Sequence, residues 1–325
     1  MKRIAVLDDY QGVVLSLPYW ARLAGRASVE AFREPVADEE ALVRRLTPYQ
    51  ILVPIRERTR FPAALLARLP NLELLALTGR NSGHVDVAAA TAQGILVAET
   101  GGSGAGPVEL TIGLMIAAVR GIPQADRALR AGRWEGSLSG ELAGRTLGIL
   151  GLGRIGSRIA AFGRLLGMRV LAWGPTLTPE RATASEAEFV PLETLFRESD
   201  VVSLHLRLSD QSRGLVTADL LACMKPSAYL INTARGPLVD EAALVASLRE
   251  GRIAGAALDV YAVEPLPADH PFLALENVVL TPHLGYVTEE AYHVFFREVT
   301  ENIVSYLDGQ VPARAVNPDA LARRR

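Results

Sequence analysis

Short apolar runs rich in Leu, Val and Ile alternate along this chain with stretches whose apolar residues fall at helical spacing. "RIAVLD", "ILVPI", "LELLAL" and "GILVAE" predict strands near 3–8, 51–55, 72–77 and 94–99. Between them, "DEEALVRRL" and "FPAALLARL" read as helices, the second with Pro62 near its first turn, where a missing N–H costs nothing. A long helix is predicted over about 107–131, after the glycine-rich "TGGSGAGP". Strands then resume with "RTLGIL" (145–150), "RVLAW" (169–173), "VVSLHL" (201–206), "AYLINT" (228–233), "AGAALDV" (254–260) and "NVVLTP" (277–282). "TEEAYHVFFREVTENIVSYLDG" ends the series as a helix that Gly309 terminates. Strand–helix alternation implies parallel sheets joined by right-handed crossovers. Two such α/β sheets are expected, with a boundary near residue 100.

One turn carries a chemical signature. In "TLGILGLGRIGSRIAAFGRLLG" a buried strand runs into Gly151, Gly153 and Gly156 and then into an amphipathic helix. Gly151 permits the tight turn, Gly153 lets the backbone approach a pyrophosphate, and Gly156 lets the helix pack close to the strand. The helix N-terminus faces the negative charge. Leu152, Arg154 and Ile155 are the intervening residues of this candidate cofactor loop. Three polar side chains share its topological edge: Arg235 follows "AYLINT", Glu264 follows "GAALDV", and His283 follows "VVLTP". In an open parallel sheet, ligands bind outside the carboxyl ends of the strands. Taken singly, a turn arginine, a capping glutamate and a loop histidine are ordinary. Together their chemistry fits reduction of a 2-oxo acid by a nicotinamide. A guanidinium forks a carboxylate and polarises the adjacent carbonyl, a histidine delivers a proton near neutral pH, and a carboxylate orients that imidazole.

Composition narrows the setting. The chain has 325 residues, 49% hydrophobic and 22% charged, which fits a globular protein of two domains. A net charge of -2 with no long run of one sign gives no electrostatic footprint for nucleic acid or an anionic membrane. Cys223 is the only cysteine, so neither an internal disulfide nor a multi-cysteine metal site is available, and no metal is expected. "MKRIAVLDDY" is too short in apolar residues for an export signal, and "LTIGLMIAAV" (110–119) is too short to span a bilayer. A cytoplasmic location is the expectation.

The whole pattern resembles the D-isomer-specific 2-hydroxyacid dehydrogenases, the group containing glyoxylate/hydroxypyruvate reductases and phosphoglycerate dehydrogenases. The resemblance rests on "TLGILGLGRIG", "SLHLRLSDQSRGL", "MKPSAYLINTARGPLVDEAAL", "GAALDVYAVEPLP" and "NVVLTPHLGYVTEE", in that order. It implies a Rossmann cofactor domain, residues 100–287, inserted into a flavodoxin-like substrate domain made of residues 1–99 and 288–325, both doubly wound. It implies Arg235 as substrate anchor, His283 as acid/base and Glu264 as its partner. Thr111, Trp173, Gly174, His205, Leu206, Thr233, Ala234, Asp259 and Gly285 would line an NAD cofactor. The backbone around Gly79, Arg80 and Asn81 would cradle the substrate carboxylate. A homodimer, through the long helix after residue 107, is also implied.

Three departures stand out. Gly174 occupies the position where NAD-preferring members carry an Asp that holds the adenosine ribose and repels a 2′-phosphate. With Arg181, Thr176 and Thr178 nearby, the expectation is a relaxed choice between NAD and NADP that leans to NAD. "TGRNSGHVD" (78–86) departs from the family's G-x-G-x-D-N-x-D run at Asn81, Gly83 and His84; by the resemblance, Arg80 would lie close to the active-site cleft, and "IRERT" adds Arg56 and Arg58 from another strand of the same domain. Arg56 or Arg80 is thereby a candidate for reading a second polar or anionic group on the substrate. Arg207 stands in "HLRL" where "HLPL" is usual. The rival functional class is an NAD(P)-sensing binding module of corepressor type, which the same fold serves.

Overall fold

A computed structural model describes residues 1–36, 38–80, 82–134 and 138–323. Along the chain, β1 (Lys2–Leu7), β2 (Ala27–Ala31), α1 (Glu39–Leu46), β3 (Ile51–Pro54), α2 (Ala63–Leu66), β4 (Leu74–Ala76), α3 (Val87–Ala92) and β5 (Leu96–Ala98) come first. Next are α4 (Gly106–Arg120), α5 (Ile122–Arg130), β6 (Thr146–Leu150), α6 (Arg154–Leu165), β7 (Arg169–Trp173), α7 (Pro179–Thr183) and β8 (Glu188–Phe189). Then α8 (Leu192–Glu198), β9 (Val201–Leu204), α9 (Ala218–Ala222), β10 (Tyr229–Asn232), α10 (Glu241–Arg249), β11 (Gly255–Leu258), β12 (Val278–Leu280) and α11 (Glu289–Leu307) complete the two sheets and their helices.

By contact, the chain divides into Met1–Ser103 with Thr288–Arg325, and Gly104–Val287. The first unit holds a five-stranded parallel sheet, order β2-β1-β3-β4-β5. Helix α11 belongs to this unit: it buries Phe295, Phe296, Val299 and Ile303, and the Phe296 ring lies 5.8 Å from that of Trp20. The second unit holds a seven-stranded parallel sheet, order β12-β11-β10-β9-β6-β7-β8. Strand order reverses at β1 in one sheet and β6 in the other. The carboxyl ends beside β1 and β6 are therefore the natural ligand crevices of the two sheets.

Two strands escape the periodicity. β2 alternates half-buried and exposed residues as an edge strand, and β8 is a two-residue exposed edge. Neither forms an apolar run. The expected single helix over 107–131 is two, bent by 64° at Gly121, whose φ of 62° is left-handed. Pro123, in the first turn of α5, has no N–H to continue the ladder. Cys223 caps the end of α9, half-buried. No single helix among the described residues is long and apolar enough to cross a membrane.

Candidate active site

The glycine-rich turn in the second unit is shaped by what each glycine must avoid. β6 runs into Gly151 at a φ of +104°, and Gly151 N–H donates to the Trp173 carbonyl at 2.7 Å. A Cβ on Gly151 would lie 2.8 Å from the backbone carbon of His205 and 3.0 Å from Leu206. A Cβ on Gly156 would lie 2.2 Å from the Gly151 carbonyl oxygen, so α6 can sit this close only with glycine there. At Gly153 nothing stands within 4 Å of the Cβ position. That glycine is not required by packing inside the protein. Gly153 caps α6 without a side-chain acceptor, and the first turn holds no acid, so no side chain caps the first backbone donors of the helix. Arg154 and Ile155 begin the helix and Leu152 is buried. These residues fit the pyrophosphate of a dinucleotide.

The other cofactor candidates surround the same edge. Gly174 follows β7, and a Cβ there would meet only ordinary contacts, the nearest being Leu177 at 3.4 Å. The fold would accept a side chain at that position. Arg181 folds back, with Nη1 donating to the Thr176 carbonyl at 2.8 Å, while Thr178 caps α7. Thr111 donates to the Pro107 carbonyl at 2.6 Å, which leaves the Thr233 hydroxyl, 2.7 Å away, as the donor in that pair. His205 is half-buried and contacts Ser203 Oγ at 2.9 Å, and burial pushes its imidazole down to about 4, so it is neutral at physiological pH.

Arg235, Glu264 and His283 come from the ends of β10, β11 and β12. Asn232 shapes the first of these turns by donating to the Arg235 carbonyl at 3.0 Å and accepting Ala234 N–H at 3.0 Å. Arg235 is half-buried and its Nη1 donates to the Ala234 carbonyl at 2.6 Å. A Cβ on the next residue, Gly236, would stand 2.0 Å from the Tyr261 carbonyl, so this turn interlocks with the one bearing Glu264. The Glu264 carboxylate spans two partners: Oε1 accepts Tyr261 N–H at 2.9 Å and Oε2 lies 2.6 Å from His283 Nδ1. The peptide preceding Pro265 is cis.

His283 itself sits at a φ of +54°. Asp259, fully buried, enforces that turn by accepting from Thr281 Oγ1 at 2.6 Å, Leu284 N–H at 2.7 Å and Gly285 N–H at 3.0 Å. Burial raises the Asp259 carboxyl above the usual range, and these hydrogen bonds oppose the shift. The Tyr261 hydroxyl bridges the carbonyls of Leu258 and Thr281, and the Tyr286 ring packs edge-on to the imidazole at 5.1 Å. The arrangement leaves Nε2 of His283 to exchange a proton, with Nδ1 committed to the carboxylate.

In the first unit, Gly79 follows β4 at a φ of +89°, and its N–H donates to Thr100 Oγ1 at 2.6 Å. That amide is therefore taken within the unit. Arg56, at a φ of +55°, donates its backbone N–H to the Thr78 hydroxyl oxygen at 2.7 Å and donates from Nη1 to the Thr78 carbonyl at 3.2 Å. Its guanidinium lies over Phe295 and fills the space beside Gly79. Arg58 stacks on Tyr10. Arg80 is exposed. Asn81 lies outside the described residues.

Residues 112–285 match the family model described as D-isomer specific 2-hydroxyacid dehydrogenase, NAD binding domain. The chain is 41% identical to glyoxylate reductase of Aeropyrum pernix over 275 residues, 82% of each protein. The chain belongs to the D-isomer-specific 2-hydroxyacid dehydrogenase family. It is an oxidoreductase whose second unit carries the nicotinamide-coenzyme-binding fold. It is 38% identical over 281 residues to D-3-phosphoglycerate dehydrogenase of Archaeoglobus fulgidus, covering 86% of this chain but 53% of that longer protein. A crystal structure of phosphoglycerate oxidoreductase from Vibrio cholerae o395 superposes with a TM-score of 0.90 at 43% identity, covering 95% of this chain and 99% of that one.

Within this dehydrogenase, sequence reasoning missed Gly236, Glu241 and His270. Gly236 had a signal, since it directly follows the arginine. Glu241 reads only as a first-turn acid of a helix, and His270 as one more loop histidine.

Proposed function

We propose that this dehydrogenase interconverts a small 2-oxo acid and the corresponding D-2-hydroxy acid, with His283 as the acid/base. The observation that carries the reading is the 2.6 Å contact of His283 with Glu264, beside an Arg235 turn locked against the same segment. A nicotinamide coenzyme, when bound along the Gly151–Gly156 turn, supplies or accepts the hydride. Arg235 binds the substrate carboxylate and polarises the neighbouring carbonyl. His283 Nε2 gives its proton to the carbonyl oxygen during reduction and takes it back in the reverse direction. Glu264 holds Nδ1–H and fixes the orientation of the ring. The roles of the Arg80 and Asn81 backbone toward the carboxylate, beside a Gly79 whose own N–H is held by Thr100, and of Arg80 toward a second anionic group, belong to the same proposal. Arg56, which also holds the Thr78–Gly79 turn, is the other candidate for that second group. NADH and NADPH oxidation, measured in parallel from glyoxylate and hydroxypyruvate to phenylpyruvate and oxaloacetate, tests the reading. Coenzyme binding without turnover across the panel would sink it.

Coenzyme choice turns on Gly174. Both coenzymes are accepted, because no carboxylate stands there to repel a 2′-phosphate. Since a side chain fits at 174, Gly174→Asp is expected to fold normally and to lower kcat/KM with NADPH by about tenfold or more relative to NADH. An unchanged ratio would place the choice elsewhere.

A homodimer is the proposed assembly. The second unit exposes Ile122 (50%), Leu129 (57%) and Trp134 (90%) on and just after α5, together with Leu138. Ile122 and Leu129 line one surface, and an exposed apolar surface of this kind marks an association site. Ile122→Asp with Leu129→Asp is expected to give a monomer by light scattering. A wild-type protein already monomeric at micromolar concentration would refute the assembly.

A further inference from the structure

Glu241 is the first residue of α10, and Asp240 caps that helix through Ala243 N–H at 3.0 Å. An acid in a first turn is an ordinary choice against the helix dipole, so its position carries nothing by itself. Its partners do. Oε2 accepts Ala262 N–H at 3.0 Å, and Oε1 lies 3.2 Å from Nε2 of His270. Nδ1 of His270 accepts Phe272 N–H at 3.2 Å. A backbone N–H only donates, so Nδ1 carries no proton and Nε2–H is the donor to Glu241. One carboxylate thus clamps both ends of the 262–270 segment, which contains Glu264.

That segment has few other anchors. Residues 262–265 and 267–269 are exposed, and Leu266 is the apolar side chain that packs onto the core between them. Two consecutive amides settle its geometry. Tyr261 N–H goes to Glu264 and Ala262 N–H goes to Glu241. Holding the Ala262 amide therefore fixes the turn on which Glu264 folds back toward His283.

We propose that Glu241, with His270 as its donor, is a positioning residue for the Glu264–His283 pair. The proposal rests on the assignment of His283 as the acid/base group. Glutamate is required because both of its oxygens must accept. A glutamine can satisfy one of the two donors and opposes the other with its own N–H.

Glu241→Gln is expected to lower kcat for the best 2-oxo acid by about tenfold, with KM for coenzyme and substrate changed less than about twofold. In a Glu264→Gln background the same substitution should cost less than about twofold, because its effect runs through Glu264. A second readout does not use turnover. The chain has five histidines, so the His283 ring resonance can be assigned by its loss in His283→Asn. In Glu241→Gln it should move in the same direction as in Glu264→Gln. If Glu241→Gln folds poorly, His270→Leu, which leaves the Ala262 contact in place, should still give a loss of about threefold in kcat. A lowered melting temperature with kcat and the His283 resonance unchanged would overturn the proposal, as would full additivity with Glu264→Gln. If the wild type reduces no 2-oxo acid, the reaction assignment fails, and the resonance comparison still decides whether Glu241 positions Glu264.

Discussion

His283→Ala is expected to lower turnover by about 10⁴-fold, the upper end for loss of a general acid, while NADH binds with nearly wild-type affinity. That rate loss corresponds to about 5 kcal/mol of transition-state stabilisation. The separation of the two effects follows from what holds the loop. Thr281, Leu284 and Gly285 are tied to the buried Asp259 carboxylate, not to the imidazole, so the backbone keeps its anchors when the ring is removed. One complication is the φ of +54° at position 283, which alanine adopts less readily than asparagine does. His283→Asn therefore serves as the second variant: it relieves the backbone objection and still cannot act as a proton donor of matched acidity. Single-turnover kinetics and a fluorescence titration with NADH check both. Loss of coenzyme binding with turnover preserved would overturn the assignment.

The second large effect concerns the glycine turn, and two substitutions separate its parts. Gly156→Ala places a methyl group 2.2 Å from the Gly151 carbonyl, against backbone that has nowhere to go, because Gly151 is itself packed on His205. Overpacking of this kind costs about 1–3 kcal/mol, and it pushes α6 off the strand, so both the melting temperature and coenzyme affinity should fall. Gly153→Ala meets nothing within 4 Å, so the melting temperature should hold. Coenzyme affinity should nevertheless drop by about 100-fold, since the new methyl group occupies the space through which backbone approaches the pyrophosphate. Thermal melts and titrations of the two variants, side by side, are the measurement. Equal losses of stability would mean that Gly153 is a packing glycine, and unchanged affinity in both would remove the turn from the coenzyme site.

The site was unevenly legible. Gly151, Gly153 and Gly156 could be read because strand, turn and helix are consecutive, and each glycine has a local steric reason. Arg235, Glu264 and His283 could be listed as strand-end residues, since parallel strands carry every such end to one edge. The family resemblance gives Glu264 as the partner of His283, but that they meet through Nδ1 could not be read. Nor could the hydrogen bonds of Arg56 to Thr78, 22 residues away. The bend at Gly121 was missed because an apolar stripe continues through it, although the Gly-Ile-Pro sequence held the cause.

What is periodic or contiguous was thus legible in residue order alone: the alternation that builds two parallel sheets, the glycine-rich turn, the missing acid at Gly174, and the polar residues that follow the strand ends on one edge. These depend on backbone preferences within a few residues and on the fixed chirality of crossovers. Other pairings were decided only by the folded molecule: Asp259 with the 281–285 loop, Gly236 against Tyr261, and Glu241 with Ala262 and His270. Each needs two loops from different strand ends to arrive within about 3 Å, the range of a hydrogen bond. That arrival is set by the packing of all the strands and helices beneath them, which no single segment encodes.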